Sequence, residues 1–226
     1  LYSPPNFLRM GMYLELSRPA GDVSRWEKVL KRLILLNKNY PLDNQRCDLL
    51  NFQREFEGDA SEEQKLYYTL RDSIIDQGLV FFGGYASTLY GKYMPYKQRR
   101  QIKNIPDFDV LSEDPETSTI LIKEKLNEIG YNKIKIVKRK PIGELIAEHY
   151  EIIVDKDTLC VIYKPLACHS YNTIKINNKS VKVASIDTML SFYLAFLYAN
   201  RPYLDKERLI CMSQYLFVVQ SKNRLK

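Results

Sequence analysis

Apolar and polar positions follow two periods along this chain, and the period assigns each segment. In "SRWEKVLKRLILLNKNY", Trp26, Val29, Leu30, Leu33 and Leu36 fall near one stripe, which predicts an amphipathic helix. "SEEQKLYYTLRDSIIDQG" continues that spacing at Leu66, Leu70 and Ile74. It opens on a capping box, Ser61 with Gln64, and stops at Gly78. The run "LVFF" reads as a buried strand, "GGYASTLYGKY" resumes helical character, and "DFDVL" is a second strand. "STILIKEKLNEIG" is another helix, closed by Gly130. "KIKIV", "HYEIIV" and "LCVIY" follow as strands, the last two joined by the tight turn "DKDT". "NTIKINNKSVKVAS" is a hairpin turning at Asn177-Asn178, and "IDTMLSFYLAFLYA" and "DKERLICMSQYLFVVQ" are closing helices.

The order predicts an α+β fold: a small mixed sheet backed by helices, with an N-terminal helical segment and C-terminal helices. Residues 1–58 read as a peripheral segment, 59–184 as the main domain and 185–226 as the start of a helical region. Within the first of these, Pro4-Pro5 oppose regular structure, and Gly21-Asp22-Val23-Ser24 is a turn with a cap.

Composition narrows the picture only a little. The 226 residues, 45 % hydrophobic and 27 % charged, suffice for a sizeable core. No window approaches twenty uninterrupted apolar residues, and "LYSPPNFLRM" has no secretory pattern, so neither a membrane span nor secretion is expected. The chain begins with Leu, which reads as a piece of a longer protein. Cys47, Cys160, Cys168 and Cys211 are widely spread, which fits reduced thiols better than a disulfide framework or a zinc site. Cys168 and His169 are adjacent, so on a strand they would face opposite ways and make no catalytic dyad. The net charge of +7 points toward polyanions, with basic clusters at Lys97–Arg100 and Lys133–Lys140.

Two short patterns carry candidate chemistry. Gly83-Gly84 joins a strand to a helix, where glycine permits close backbone approach and the first helical N–H groups lack intrahelical partners. Such a corner is either a tight turn or a phosphate site. Asp107 and Asp109 flank Phe108 and project from one face of their strand. Two carboxylates held together favour a divalent cation, magnesium or manganese by their oxygen chemistry; otherwise they solvate a strand end. Two such ions orient an attacking hydroxyl and stabilise a leaving pyrophosphate.

The order strand, GG, helix, strand with two alternating acids resembles the nucleotidyltransferase superfamily that includes DNA polymerase beta and the poly(A) polymerases. "FFGGYASTLYG … IPDFDVL" and "YKPLACHSYNTIKINNKSVKVASIDTML" are similar to the poly(A) polymerase catalytic subunits of large DNA viruses, over about residues 20 to 220. The resemblance implies a nucleotidyltransferase fold for 59–184, with Gly83, Gly84 and Ser87 at the nucleotide's phosphates. It makes Asp107 and Asp109 metal ligands and implies magnesium or manganese with ATP as substrate. The implied reaction is attack of an RNA 3′-hydroxyl on the α-phosphate of ATP. It also implies a viral protein of the host cytoplasm or virion, and leaves open a processivity subunit or a homodimer. A further RNA-binding domain is expected beyond Lys226.

The chain departs from that pattern twice. The linker "KYMPYKQRRQIKNIP" is long and basic with interleaved tyrosines, suited to phosphate contacts and stacking or to a plain surface insertion. The third acid of the pattern is not obvious, because "LCVIY" has no carboxylate. Glu151 in "HYEIIV" is the chosen candidate, with Asp155, Asp157 or none as alternatives. His169 and Asn172 follow the third strand and border the nucleotide or pack structurally. Competing readings are a non-catalytic RNA-binding subunit of the same fold, or transfer to a small molecule or protein.

Overall fold

The computed structural model describes residues 2–18, 20–42, 47, 60–94, 107–201 and 204–223. Most of the basic linker, 95–106, lies outside the described residues, as does the Lys97–Arg100 cluster. Strands β1 (Val80–Phe82), β2 (Phe108–Leu111), β3 (Ile134–Arg139), β4 (His149–Val154), β5 (Asp157–Tyr163), β6 (Tyr171–Ile176) and β7 (Lys179–Ala184) form one sheet. Its order is β3-β4-β5-β2-β1-β7-β6. The strands β3, β4 and β5 make an antiparallel meander; β2 runs parallel to β5 and antiparallel to β1, and β1 runs parallel to β7. The sheet is therefore mixed, as the sequence predicts.

Three helices accompany these strands: α3 (Ala60–Asp76), α4 (Gly83–Tyr90) and α5 (Pro115–Glu128). Side chains of one face, Phe81, Phe108, Val110, Ile152 and Ile162, are fully buried. Burying each such side chain contributes about 1.5–3 kcal/mol. Tyr67 of α3 stacks on Phe108 at 5.4 Å, and the Tyr150 hydroxyl donates to Glu116 of α5 at 3.1 Å, so this is the helix-covered face. The Asn177-Asn178 turn forms as the sequence requires, with φ of 48° and 64°. Helix α5 starts three residues earlier than its apolar spacing suggests. Asp114 caps it, accepting from the Thr117 N–H at 3.1 Å, and Pro115 occupies the first turn, where its missing N–H costs nothing.

The chain divides into two compact units: Gln53–Pro165 with Asn172–Val183, which holds the sheet and α3–α5, and Leu1–Phe52 with Leu166–Tyr171 and Ala184–Lys226. The second unit contains α1 (Pro5–Ser17), α2 (Val23–Asn39), α6 (Ile186–Phe196) and α7 (Lys206–Asn223). Helix α1 corrects the expectation that Pro4-Pro5 oppose regular structure: Pro5 stands in the first turn and starts the helix instead of breaking it. Its Arg9 is 1 % exposed, and the guanidinium donates to Asn37 Oδ1 of α2 at 2.7 Å, to Asn6 and to the Tyr40 carbonyl. The reading of all four cysteines as reduced thiols is also corrected. Cys47 and Cys211, 164 residues apart, form a disulfide, a pairing fixed by tertiary packing that spacing along the chain cannot show. Cys160 and Cys168 are free thiols. Among the described residues no helix is long and apolar enough to cross a membrane.

Candidate active site

Strand β1 ends at Phe82, which pairs with Asp109 of β2, and Gly83 turns the chain into α4. Gly83 has φ of +72°, a backbone state costing any L side chain about 1–2 kcal/mol. Space excludes a side chain as well. A Cβ at Gly83 would fall on Asp109 Oδ2 and lie 2.8 Å from the Asp109 Cβ and Cγ. The corner therefore requires glycine because the Asp109 carboxylate packs against its backbone. Gly84 is buried in the first turn of α4.

Asp107 and Asp109 are half-buried, while Phe108 and Val110 between and beyond them are fully buried on the opposite face. The Phe108 ring lies 5.4 Å from Tyr67, 5.7 Å from Phe81 and 5.2 Å from Tyr85. This aromatic floor fixes the register of β2 and hence where the Asp109 carboxylate projects. Burial, and secondarily the Tyr67 neighbour, pushes the Tyr85 phenol far up, so it stays neutral. On β5, Cys160 pairs with Phe108. Burial, then the charges of Asp109 and Asp107, pushes its thiol well above the usual range, so it is no nucleophile.

Glu151 lies on the same level of the sheet. Val137, Glu151, Val161, Asp109 and Phe82 are successive cross-strand partners, one row across five strands. Strand β5 therefore intervenes between Glu151 and Asp109, a separation of about 9.5 Å at ~4.8 Å per strand. Val161 fills the position between them. The Glu151 carboxylate is 8 % exposed as a residue and is gripped bidentately by Arg139, Nε to Oε1 at 3.0 Å and Nη2 to Oε2 at 2.9 Å. Asp155 sits in the β4–β5 turn with φ of 55°, and Asp157 pairs with Val154 beside it. Among the described residues no group of three His, Cys, Asp or Glu side chains is placed to hold a metal. The Asp107 and Asp109 pair fits a hard cation all the same: magnesium is commonly held by one or two carboxylates with substrate phosphates completing its shell.

No protein-family model and no curated protein matches the chain. Its structure is similar to that of the Megavirus polyadenylate synthase, with a TM-score of 0.76 and 16 % identity, over 98 % of this chain and 46 % of that one. This is a nucleotidyltransferase fold. The chain spans less than half the length of that neighbour.

Within the nucleotidyltransferase fold, the structure unites Gly83, Gly84 and Asp109 at one corner, with Asp107 two residues back, just ahead of β2 and half-buried as Asp109 is. It turns the Ser87 hydroxyl inward, where Ser87 donates to the Gly83 carbonyl at 2.9 Å and is 1 % exposed. Asn172 Nδ2 donates to the Tyr90 hydroxyl at the end of α4 at 2.8 Å. His169 packs 5.2 Å from the Phe192 ring, and neither ring nitrogen has a protein partner among the described residues. Burial, then the Arg18 charge, lowers its pKa. His149 is structural, stacked 4.7 Å from Tyr163 with Nδ1 3.1 Å from the Ala147 carbonyl oxygen. Sequence reasoning missed Arg139 as the partner of Glu151. The alternation of β3 carried a signal for it, because Val137 and Arg139 share a face of "KIKIVKR".

Proposed function

We propose that the chain is a template-independent nucleotidyltransferase that adds AMP from ATP to RNA 3′ ends. The observation that carries this reading is the packing of the Asp109 carboxylate onto Gly83, with half-buried Asp107 two residues back. It joins a metal-ligand pair to a helix N-terminus in a nucleotidyltransferase fold. That the neighbour is a polyadenylate synthase supports adenylate transfer as the reaction class. The viral kind of that neighbour supports work in the host cytoplasm or the virion.

Asp107 and Asp109 would hold the divalent cation, magnesium or manganese, which when bound would polarise the phosphoryl oxygens. The start of α4 at Gly83-Gly84, where the Asp109 carboxylate packs against Gly83, receives the triphosphate on the first backbone N–H groups of the helix. The RNA 3′-oxygen attacks the α-phosphorus and gives its proton to solvent as the new P–O bond forms, while the bond to the bridging oxygen breaks and pyrophosphate leaves with the electron pair. Glu151 is the third acid of this reading; it stands in the Asp109 row and reaches the pair across Val161 only by letting go of Arg139.

The Arg139–Glu151 pairing favours a second reading, an RNA-binding subunit without chemistry. Incubation with labelled ATP, magnesium or manganese and a short RNA separates the two, run beside an Asp107→Ala/Asp109→Ala variant. Extension by the parent and none by the variant supports the transferase. RNA binding with no extension by either leaves the second reading standing.

A further inference from the structure

Strand β3 is an edge of the sheet and carries most of the basic run "KIKIVKRK". Its register resolves that run into two faces. Lys135 pairs with Ile153, Val137 with Glu151 and Arg139 with His149. Because Val137 stands in the row that contains Asp109, alternation puts Lys135 and Arg139 on the carboxylate face and Lys138 on the opposite one. The contacts agree. Arg139 grips Glu151, a member of that row. Lys138 Nζ lies 5.2 Å from the centroid of Tyr150, whose hydroxyl reaches Glu116 on the helix-covered face. Lys138 also pairs with Glu148 at 3.4 Å. Lys135 is exposed, and the Arg139 side chain is 47 % exposed even while held by Glu151.

We propose that the carboxylate face of β3 is a track for the backbone of single-stranded RNA, with Lys135 and Arg139 contacting phosphates upstream of the reacting 3′ end. This inference rests on the transferase reading for its direction, toward Asp107 and Asp109. Val137 stands three strand spacings from Asp109, about 14 Å. A stacked strand rises ~3.4 Å per phosphate, so the track engages the acceptor about four nucleotides behind its end. Lys135 and Arg139 are four positions apart, about 13 Å along the strand, room for separate phosphates. Arg139 supplies a planar fork that is freed for phosphate when Glu151 turns to the acid pair, whereas Lys135 supplies the mobile point charge. Lysines on an edge strand also discourage pairing with other chains, and that role is indifferent to which face they occupy.

The difference between faces is what the experiment reads. The full chain is titrated against a labelled oligo(A) of about twelve nucleotides across a salt series, as the parent, Lys135→Ala and Lys138→Ala. The two variants lose the same charge from opposite faces, and neither residue is buried. Lys135→Ala is expected to weaken binding about threefold to tenfold and to lower the slope of log K against log salt by ~0.7, with Lys138→Ala near the parent. In the extension assay Lys135→Ala raises KM for the long acceptor, leaves KM for a trinucleotide unchanged, and leaves kcat unchanged. Equal effects of the two variants mean net charge only, and no effect of Lys135→Ala means an edge-protecting lysine only; either overturns the track. Absence of RNA binding by the parent overturns it as well. Binding with the Lys135 signature but without extension sinks the transferase reading and leaves the track in place.

Discussion

Gly83→Ala tests the corner on which the site is built. Two costs add at this position. The φ of +72° costs a side chain about 1–2 kcal/mol. The new Cβ also collides with the Asp109 carboxylate, whose Cβ and Cγ would lie 2.8 Å away, an overpacking that costs about 1–3 kcal/mol more. The sum, about 2–5 kcal/mol, is a large share of the 5–15 kcal/mol at which domains are typically stable. Gly78→Ala isolates the first cost, because Gly78 has φ of +67° but its Cβ would meet only the flexible Lys182 Nζ, at 3.4 Å. Urea unfolding followed by circular dichroism, with unchanged m-values, gives both numbers. Asp109→Gly is then combined with Gly83→Ala in a double-mutant cycle, and a coupling of about 1–3 kcal/mol is expected as the collision disappears. The reasoning is refuted if Gly83→Ala costs no more than Gly78→Ala, or if removing the Asp109 side chain leaves its cost unchanged.

Three further outcomes follow from groups elsewhere in the chain. Arg139→Ala leaves the poorly exposed Glu151 carboxylate without its bidentate partner; discounted for the half-exposed arginine, the loss is about 1–2 kcal/mol in urea melts, and Glu151→Gln in the same background recovers part of it. His169 has a lowered pKa in the folded chain, so the unfolded chain binds its proton first. Stability should therefore fall as pH drops below about 6.5 and level off below the folded pKa, and His169→Phe should flatten that part of the melting-temperature profile. Reducing Cys47–Cys211, or replacing Cys47 by Ser, opens a loop of 164 residues and should destabilise by about 2–5 kcal/mol, read as a lower Tm than the oxidised chain shows.

The glycine corner and the acid pair were legible because each rests on local chemistry. "FFGG" ends a strand, and "DFDV" places two acids on one face by alternation alone. Their contact was not legible, since it depends on the antiparallel pairing of Phe82 with Asp109. Strand order was equally hidden. "LCVIY", which has no acid, takes the place beside "DFDVL", and "HYEIIV" lies one strand farther out. That order decides how far Glu151 stands from the pair. Arg139 looked like one more charge in a basic run until its cross-strand neighbour was fixed. Helix α1 was hidden by reading Pro4-Pro5 as a breaker when Pro5 is a first-turn residue. The Cys47–Cys211 bridge, like Arg9 buried against Asn37, is a tertiary meeting of distant segments.

The most direct test of the site is cation binding. Manganese is titrated by electron paramagnetic resonance, with a non-hydrolysable ATP analogue present, into the parent and an Asp107→Asn/Asp109→Asn variant. Asparagine keeps the shape that packs against Gly83 and removes the charge. The account predicts saturable manganese binding by the parent and at least about a tenfold loss of affinity in the variant, with melting temperatures alike. Equal manganese affinity in the two proteins would contradict the claim that these aspartates form the metal site.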